Sequence, residues 1–430
     1  MFRSQNDCDM ITAPDDNGVV ASIPQEAVGD KQVDQRWLLV AVTALVTASL
    51  AGPATAAPTG NILGANSATA VANSYIVVLK DTSGLRSEGV PAAARRLAER
   101  NGGSIQFVYE TALRGFATTM SESNARRLAA DASVDYVQQN QTLTATATQP
   151  NPPSWGLDRI DQRNLPLNNS YTYPSTASAV HAYVIDTGVR FTHSTFGGRA
   201  TSGIDTIDND MDANDCHGHG THVAGTIGGT EYGVAKGVQI VGVRVLNCAG
   251  SGTTAQVVGG IDWVTANAIK PAVANMSLGG GPDPALDNAT TNSIASGITY
   301  AVAAGNGNIF GVGQPACNYS PARVPTAVTV GATDITDLRA SFSNYGTCVD
   351  IFAPGVNITS AWNGSDNDTE TISGTSMAAP HVAGAAAMGL AFRPNFTPQQ
   401  IRDGLVNRAT NGVVINPGAG SPNKLLYVGR

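Results

Sequence analysis

The chain is expected to be α/β: a mostly parallel sheet covered by helices on both faces, preceded by a small α+β unit. Three observations carry that expectation. From about residue 147 onward, short and almost continuously apolar strands alternate with helical stretches. Strands without a polar face must be buried on both sides, and the intervening helices supply the cover. Ahead of them, residues 74–140 read as β-α-β-β-α-β, the order of a ferredoxin-like unit. Composition agrees, because 42% hydrophobic content with only 13% charged residues and 47 glycines suits tight packing and argues against disorder or coiled coil. The net charge of −8, with no basic cluster, gives no electrostatic reason to expect a nucleic-acid partner.

Residues 37–50 are an apolar run preceded by Lys31 and Arg36 and followed by the small residues Ala54-Thr55-Ala56. The run is short for a membrane span and carries the flanks of a signal peptide, so residues 1–57 are set apart as leader and signal peptide and the protein is expected to be secreted. The acidic stretch before it, with Asp7, Asp9, Asp15, Asp16, Glu26 and Asp30, is unlike the start of such a peptide. The translation start is therefore expected downstream, near Val33. Residues 58–73 read as a loose linker. In the small unit, residues 74–80, 105–109, 115–120 and 134–137 are β-rich, and 91–100 and 121–130 are helical in pattern. Residues 141–146 follow as an uncharged, unpaired extended tail.

In the larger unit the expected strands are 180–185, 240–246, 273–276, 299–303 and 327–330, with helices over 219–227, 253–267 and 284–296. A last helix, rich in Ala, Gly and Met, follows Ser376 to about residue 390 and has the composition of a buried one. No further C-terminal domain is expected after it.

Active sites of such sheets lie at the carboxyl ends of strands. Three candidates fall at strand ends or helix starts. Asp186 stands where the run Tyr183-Val184-Ile185 stops. His219 lies in Gly218-His219-Gly220-Thr221-His222, whose glycines leave room for another segment to approach. Ser376 opens the last helix, where unpaired N–H groups and the dipole favour the negative charge of an oxyanion. Each has a plainer explanation as a cap or turn residue. Together they supply a nucleophile that needs a base, an imidazole with a suitable pKa, and a carboxylate to fix its tautomer. Their order, Asp…His…Ser, is neither that of α/β-hydrolases nor that of chymotrypsin, and Ala378 removes the second glycine of a Gly-x-Ser-x-Gly elbow. A competing reading makes His217, His219 and His222 a zinc site, although the His-Glu-x-x-His arrangement is absent. A further alternative is a catalytically silent binding protein that keeps the fold.

Asp186-Thr187-Gly188, Gly218-His219-Gly220-Thr221-His222-Val223-Ala224-Gly225 and Gly374-Thr375-Ser376-Met377-Ala378-Ala379-Pro380-His381 resemble the three motifs of subtilisin-like serine proteases, nearest the proteinase K group and its aqualysin-like secreted bacterial members. The resemblance covers about residues 75–428 and implies a subtilisin-like peptidase domain over 147–430. It implies Ser376 as nucleophile, His219 as general base and acid, Asp186 as its orienting group, and Asn306, after Ala303-Ala304-Gly305, as an oxyanion donor. Gly250, Ser251 and Gly252 with Ser277, Leu278 and Gly279 would form two edges between which substrate lies as an added strand. Ala304 and Gly305, uncharged, would wall a pocket suited to apolar or aromatic side chains before the cut. Residues 74–146 would be an inhibitory propeptide, cut between Thr146 and Ala147 to release the mature, soluble and monomeric endopeptidase from its zymogen.

Of five cysteines, Cys8 precedes the signal peptide. The other four allow three pairings, and the resemblance implies Cys216 with Cys248 and Cys317 with Cys348. It also implies structural calcium, held by Asp350 with the carbonyls of Pro325 and Ala327, and at a second site by Asp158, Asp161 and Gln162. No organic cofactor is expected. The acidic run Asp205, Asp208, Asp210, Asp212 and Asp215 reads as a solvated loop, since Ala213 replaces the glycine of a calcium loop.

Overall fold

The computed structural model describes residues 59–65, 67, 70–142 and 147–429. The leader, the apolar run 37–50, Cys8 and the tail residues Leu143-Thr144-Ala145-Thr146 lie outside the described residues, as does much of the linker. The chain divides near residue 140 into two compact units.

In the first unit, the sheet has the strand order Ile62–Leu63, Val134–Gln141, Ala70–Leu79, Gly115–Thr119, Ser104–Tyr109. Apart from the short first strand, this is the antiparallel ferredoxin-like arrangement. Helices Val90–Arg100 and Glu122–Ala129 match expectation, the second capped by the Ser121 hydroxyl. The short helix Ser83–Glu88, capped by Thr82, went unread. Along Ala70–Leu79, Tyr75, Val77 and Leu79 enter the core, as the period of two requires. The last strand continues to Gln141, so the expected unpaired tail is paired sheet at its first residue. Strand propensity at Val134-Asp135-Tyr136-Val137 propagates into Gln and Asn residues because their backbone groups still find ladder partners.

The second unit is built on a nine-stranded sheet. Its strands are β1 (His181–Asp186), β2 (Ala200–Asp205), β3 (Gln239–Arg244), β4 (Ala272–Met276), β5 (Thr299–Ala303), β6 (Val328–Thr333), β7 (Ile351–Pro354), β8 (Thr410–Asn411) and β9 (Lys424–Leu425), in the order β8-β9-β7-β6-β5-β4-β1-β3-β2. Every pairing is parallel except that of β8 with β9. Besides the short helix Trp155–Ile160, the helices are α1 (His219–Gly228), α2 (Thr254–Asn267), α3 (Pro284–Ala295), α4 (Thr375–Phe392) and α5 (Pro398–Arg408). Along β1, Ala182 and Val184 join one core while Tyr183 and Ile185 join another across the sheet, so both faces are covered as expected. Thr253 and Gln256 close a capping box on α2, and Asp283 with Pro284 starts α3. The strand Ala147–Pro150 pairs antiparallel with Ser170–Tyr173.

Two features position a site. The carboxyl ends of β1, β4 and β5 are adjacent in the sheet, so residues following them in sequence by different routes converge. Helix α4 is buried along nearly its whole length and packs on β4, β5 and β6. Its Ala and Gly residues allow that close approach, and its first turn is thereby held against the same strand ends.

Candidate active site

Asp186 closes β1 and is fully buried. One carboxylate oxygen receives the Thr187 N–H at 2.8 Å and meets His219 Nδ1 at 2.7 Å. His219 opens α1, reached through Gly218 at φ +109°, a conformation that favours glycine. The glycines around it have the role expected of them. A Cβ on Gly218 would lie 2.4 Å from the Trp362 ring, and one on Gly220 only 2.1 Å from the Gly188 carbonyl. Burial draws the His219 pKa down, but the Asp186 charge, its hydrogen bond and the charge of Asp215 outweigh it and hold the imidazole above its ordinary value.

Asp215 carries more than the sequence suggested. It is buried, and its two oxygens accept from the Thr187 hydroxyl, the His217 and Gly218 N–H groups, and both the N–H and hydroxyl of Thr221. The Thr187 hydroxyl in turn receives the Gly220 N–H at 2.9 Å. These bonds clamp the loop that presents His219. The acidic run is therefore not one solvated loop. Asp205 is also buried, paired with Arg244, whereas Asp208, Asp210 and Asp212 are exposed.

Ser376 lies in the first turn of α4. Its hydroxyl donates to the Ser277 carbonyl at 3.1 Å, and the Ser277 hydroxyl donates back to the Ser376 carbonyl at 2.7 Å. The end of β4 and the start of α4 are thus tied at the serine. Asn306 reaches the same turn from β5. Its Oδ1 accepts from the Thr375 N–H and the Thr375 hydroxyl, both at 2.8 Å. An N–H can only donate, so Oδ1 must face Thr375, and the Asn306 NH₂ is left on the side of Gly374 and Ser376. Thr375, which also accepts the Gly305 N–H at 3.1 Å, went unread in the sequence. Its place between Gly374 and Ser376 was the available signal.

Gly250, Ser251, Gly252, Ser277, Leu278 and Gly279 line one cavity of about 670 Å³, together with His217 and His219. Ala304 and Gly305 are not among its lining residues. Ala304 is fully buried in a separate core with Phe352, and Gly305 turns at φ +99° against Asn344, so the chain leaving β5 shows that cavity no side-chain wall there.

The three imidazoles of the zinc alternative do not converge. His219 Nδ1 faces Asp186, His217 Nδ1 accepts the His219 N–H at 3.3 Å, and His222 Nε2 meets the Ile358 carbonyl at 2.9 Å. Among the described residues no three His, Cys, Asp or Glu side chains are grouped to hold a metal. The disulfides are Cys216–Cys248 and Cys317–Cys348. Asp350 is half-buried beside a cation of its own: one oxygen receives the Thr329 N–H at 2.9 Å and the other Arg402 at 2.5 Å. Asp158 and Asp161 differ. Asp158 accepts the N–H groups of Asn168 and Asn169, whereas Asp161 keeps one buried oxygen without a partner. Burial above all, with the Asp158 charge adding, pushes Asp161 up to about 6.

The model of the subtilase family matches residues 178–424, and that of peptidase inhibitor I9 matches residues 74–146. The extracellular serine proteinase of Thermus sp. (strain Rt41A) is 49% identical over 407 residues, covering 91% of this chain and 98% of the relative. The alkaline serine exoprotease A of Vibrio alginolyticus is 50% identical over 370 residues, covering 83% and 68%. Among solved structures, a cold-adapted subtilisin-like serine proteinase is 58% identical with a TM-score of 0.61, covering 64% of this chain and 97% of that one.

Proposed function

The chain belongs to the subtilase family, and on that premise we propose a secreted serine endopeptidase, made as a zymogen, in which Ser376, His219, Asp186 and Asn306 perform the chemistry. The observation that carries this reading is the 2.7 Å contact of His219 Nδ1 with buried Asp186. It places the proton on Nδ1 and leaves Nε2 as the base. Substrate adding as a strand along Ser277, Leu278 and Gly279 would claim the Ser277 carbonyl and release the Ser376 hydroxyl toward that nitrogen. The serine oxygen then attacks the peptide carbonyl carbon while Nε2 takes its proton. The oxyanion receives the Asn306 NH₂ and the Ser376 N–H. His219 passes its proton to the leaving amine, the C–N bond breaks, and water hydrolyses the acyl-serine by the same route in reverse.

Recognition through glycine-lined edges favours broad specificity, and the apolar Leu246, Leu278 and Leu286 of the cavity, in place of Ala304 and Gly305, support a preference for apolar or aromatic residues before the cut. The I9 domain is the chain's own inhibitor, and cleavage between Thr146 and Ala147 would release a soluble monomer with no nucleic-acid partner. Export through residues 37–50 fits the Thermus relative, whose name describes an extracellular enzyme. Calcium at Asp158, Asp161 and Gln162 would neutralise the carboxylate oxygen that no protein group satisfies. At Asp350, Arg402 already supplies the positive charge.

Cleavage of a chromogenic peptide amide, abolished by a serine-directed sulfonyl fluoride and untouched by a zinc chelator in excess calcium, is the expected result. Binding of the peptide without turnover would favour the catalytically silent alternative instead.

A further inference from the structure

We propose that the step from Asn306 to Gly307 is a site of spontaneous covalent modification, at which the chain's own backbone deamidates the oxyanion donor and ends the working life of the enzyme. The proposal rests on the endopeptidase reading and extends it from how the site acts to how it fails. Asparagine is among the thermolabile side chains, because the nitrogen of the next residue can close a five-membered ring onto its amide carbon. A side chain on that next residue hinders the closure, and glycine has none.

Neither member of the pair is free to change. The oxyanion calls for an NH₂ at residue 306. Residue 307 sits at φ +80°, and a Cβ there would lie 2.3 Å from the Val312 carbonyl oxygen. Catalysis therefore demands the asparagine and packing demands the glycine. Asn306 is also exposed, so solvent base and water reach it. Its Oδ1 accepts the Thr375 N–H and hydroxyl, both at 2.8 Å. Negative charge gathers on that oxygen when Cγ is attacked, so the donors that orient the amide also ease its loss.

In the reaction, the Gly307 nitrogen gives its proton to solvent base and attacks Asn306 Cγ. The N–Cγ bond forms, the Cγ–Nδ2 bond breaks, and ammonia leaves with a proton from solvent. Water opens the cyclic imide at either carbonyl, leaving aspartate or isoaspartate at residue 306. Either product has lost the NH₂ and gained a negative charge beside the site of the oxyanion.

One contact opposes this. The Gly307 N–H donates at 3.0 Å to Oδ1 of Asn344, a fully buried side chain. Asn344 is itself fixed, accepting the Gln314 N–H at 2.7 Å and donating to the Ala304 carbonyl at 2.8 Å. While that bond holds, the nitrogen keeps its proton, and attack waits for the loop to open. Asn344 is thus a guard, and the lifetime of the site is a rate.

The test is a time course on the mature enzyme at its working temperature. Turnover of a chromogenic amide is compared with peptide maps of the unclipped chains, which keeps self-digestion out of the measurement. Asn363-Gly364 and Asn411-Gly412 serve as internal controls. The expected result is that the fraction of turnover lost equals the fraction of residue 306 converted to aspartate or isoaspartate, with no such match at the controls. Asn306→Gln, whose longer side chain disfavours the ring, should start slower than the parent and then hold its turnover. Asn344→Ala should age several-fold faster; should it fail to fold, the parent and Asn306→Gln courses still decide. Turnover lost while Asn306 stays intact, or Asn306→Gln ageing as fast as the parent, overturns the proposal. Asn306→Asp, made directly, should lose roughly 10²–10³ in kcat. Full turnover in that variant removes the donor role itself, and this proposal with it.

Discussion

The two units use the same strand periodicity to different ends. Along Ala70–Leu79 of the inhibitor unit, Tyr75, Val77 and Leu79 enter one core cluster, while Ile76 between them is only half-buried. Along β1 of the peptidase unit, the alternating residues are divided between two cores, one on each face. A small domain with one core has little stability to spare. A larger sheet buried from both sides, in a unit that two disulfides also close, has more. The contrast suits a chain in which one unit is discarded after the other is complete.

Replacing the nucleophile probes this division most sharply. Ser376→Ala is expected to lower turnover on the order of 10⁶-fold and to keep the two units joined. Electrophoresis should then show an uncut precursor, and correctly trimmed protein from that variant would disprove self-processing. The next largest effect compares equal deletions in the two units. Phe116→Ala and Phe196→Ala each remove a fully buried ring and should each cost about 3–5 kcal/mol. In the inhibitor unit that loss should prevent folding and with it maturation. In the peptidase unit it should leave a folded enzyme with a lower melting temperature, as calorimetry of the mature protein would show. If both variants mature normally, the distinction between one core and several has no energetic meaning.

Asn306→Ala removes both a chemical and a structural contact within the peptidase unit. Loss of its NH₂ should reduce kcat by roughly 10²–10³ with KM nearly unchanged, while loss of its Oδ1 leaves the buried Thr375 N–H without its acceptor and should lower the melting temperature. Because His219 is held above the ordinary imidazole value of about 6.5, the acid limb of kcat/KM should lie above that pH, rising as the ring loses its proton. The smallest effect belongs to Asp161. Its folded pKa of about 6 exceeds the unfolded value of about 3.9. Its contribution to stability is thus fully present below that unfolded value and is lost as pH rises through 6. Calcium should offset this, so its effect on the melting temperature should be a few degrees larger at pH 7.5 than at pH 5, on the order expected for about 1 kcal/mol. Asp161→Asn should remove that pH dependence.

Much of this was legible beforehand because the informative signals are local. Apolar runs, their spacing, and three short motifs are contiguous, and Gly218 and Gly220 announce their close contacts by having no side chain. Strands β2 and β7 escaped because β2, Ala-Thr-Ser-Gly-Ile-Asp, lacks the apolar run that marks the others and β7 has only four residues. The helix α5 was missed despite a readable signal, the Thr397, Pro398 and Gln400 start that closes a capping box. Other features have no local signal at all. Arg159 is fully buried and bidentate to Asp337, a partner 178 positions away. Asp350 finds Arg402 across 52 positions, and Asp215 looks like one more member of an acidic run until its five donors are counted.

By itself, then, the sequence determined the two fold classes, the order of the elements and the chemical types gathered in the motifs. Those properties follow from periodicity and from residues adjacent in the chain. Only the tertiary structure decided which way the Asn306 amide faces, that Asp215 orients rather than solvates, that Asp350 is already paired, and that Asp161 keeps an unfilled oxygen. Each depends on which donor or charge arrives from a distant segment. A buried polar atom is defined energetically by that partner, and the chain written out in order does not contain it.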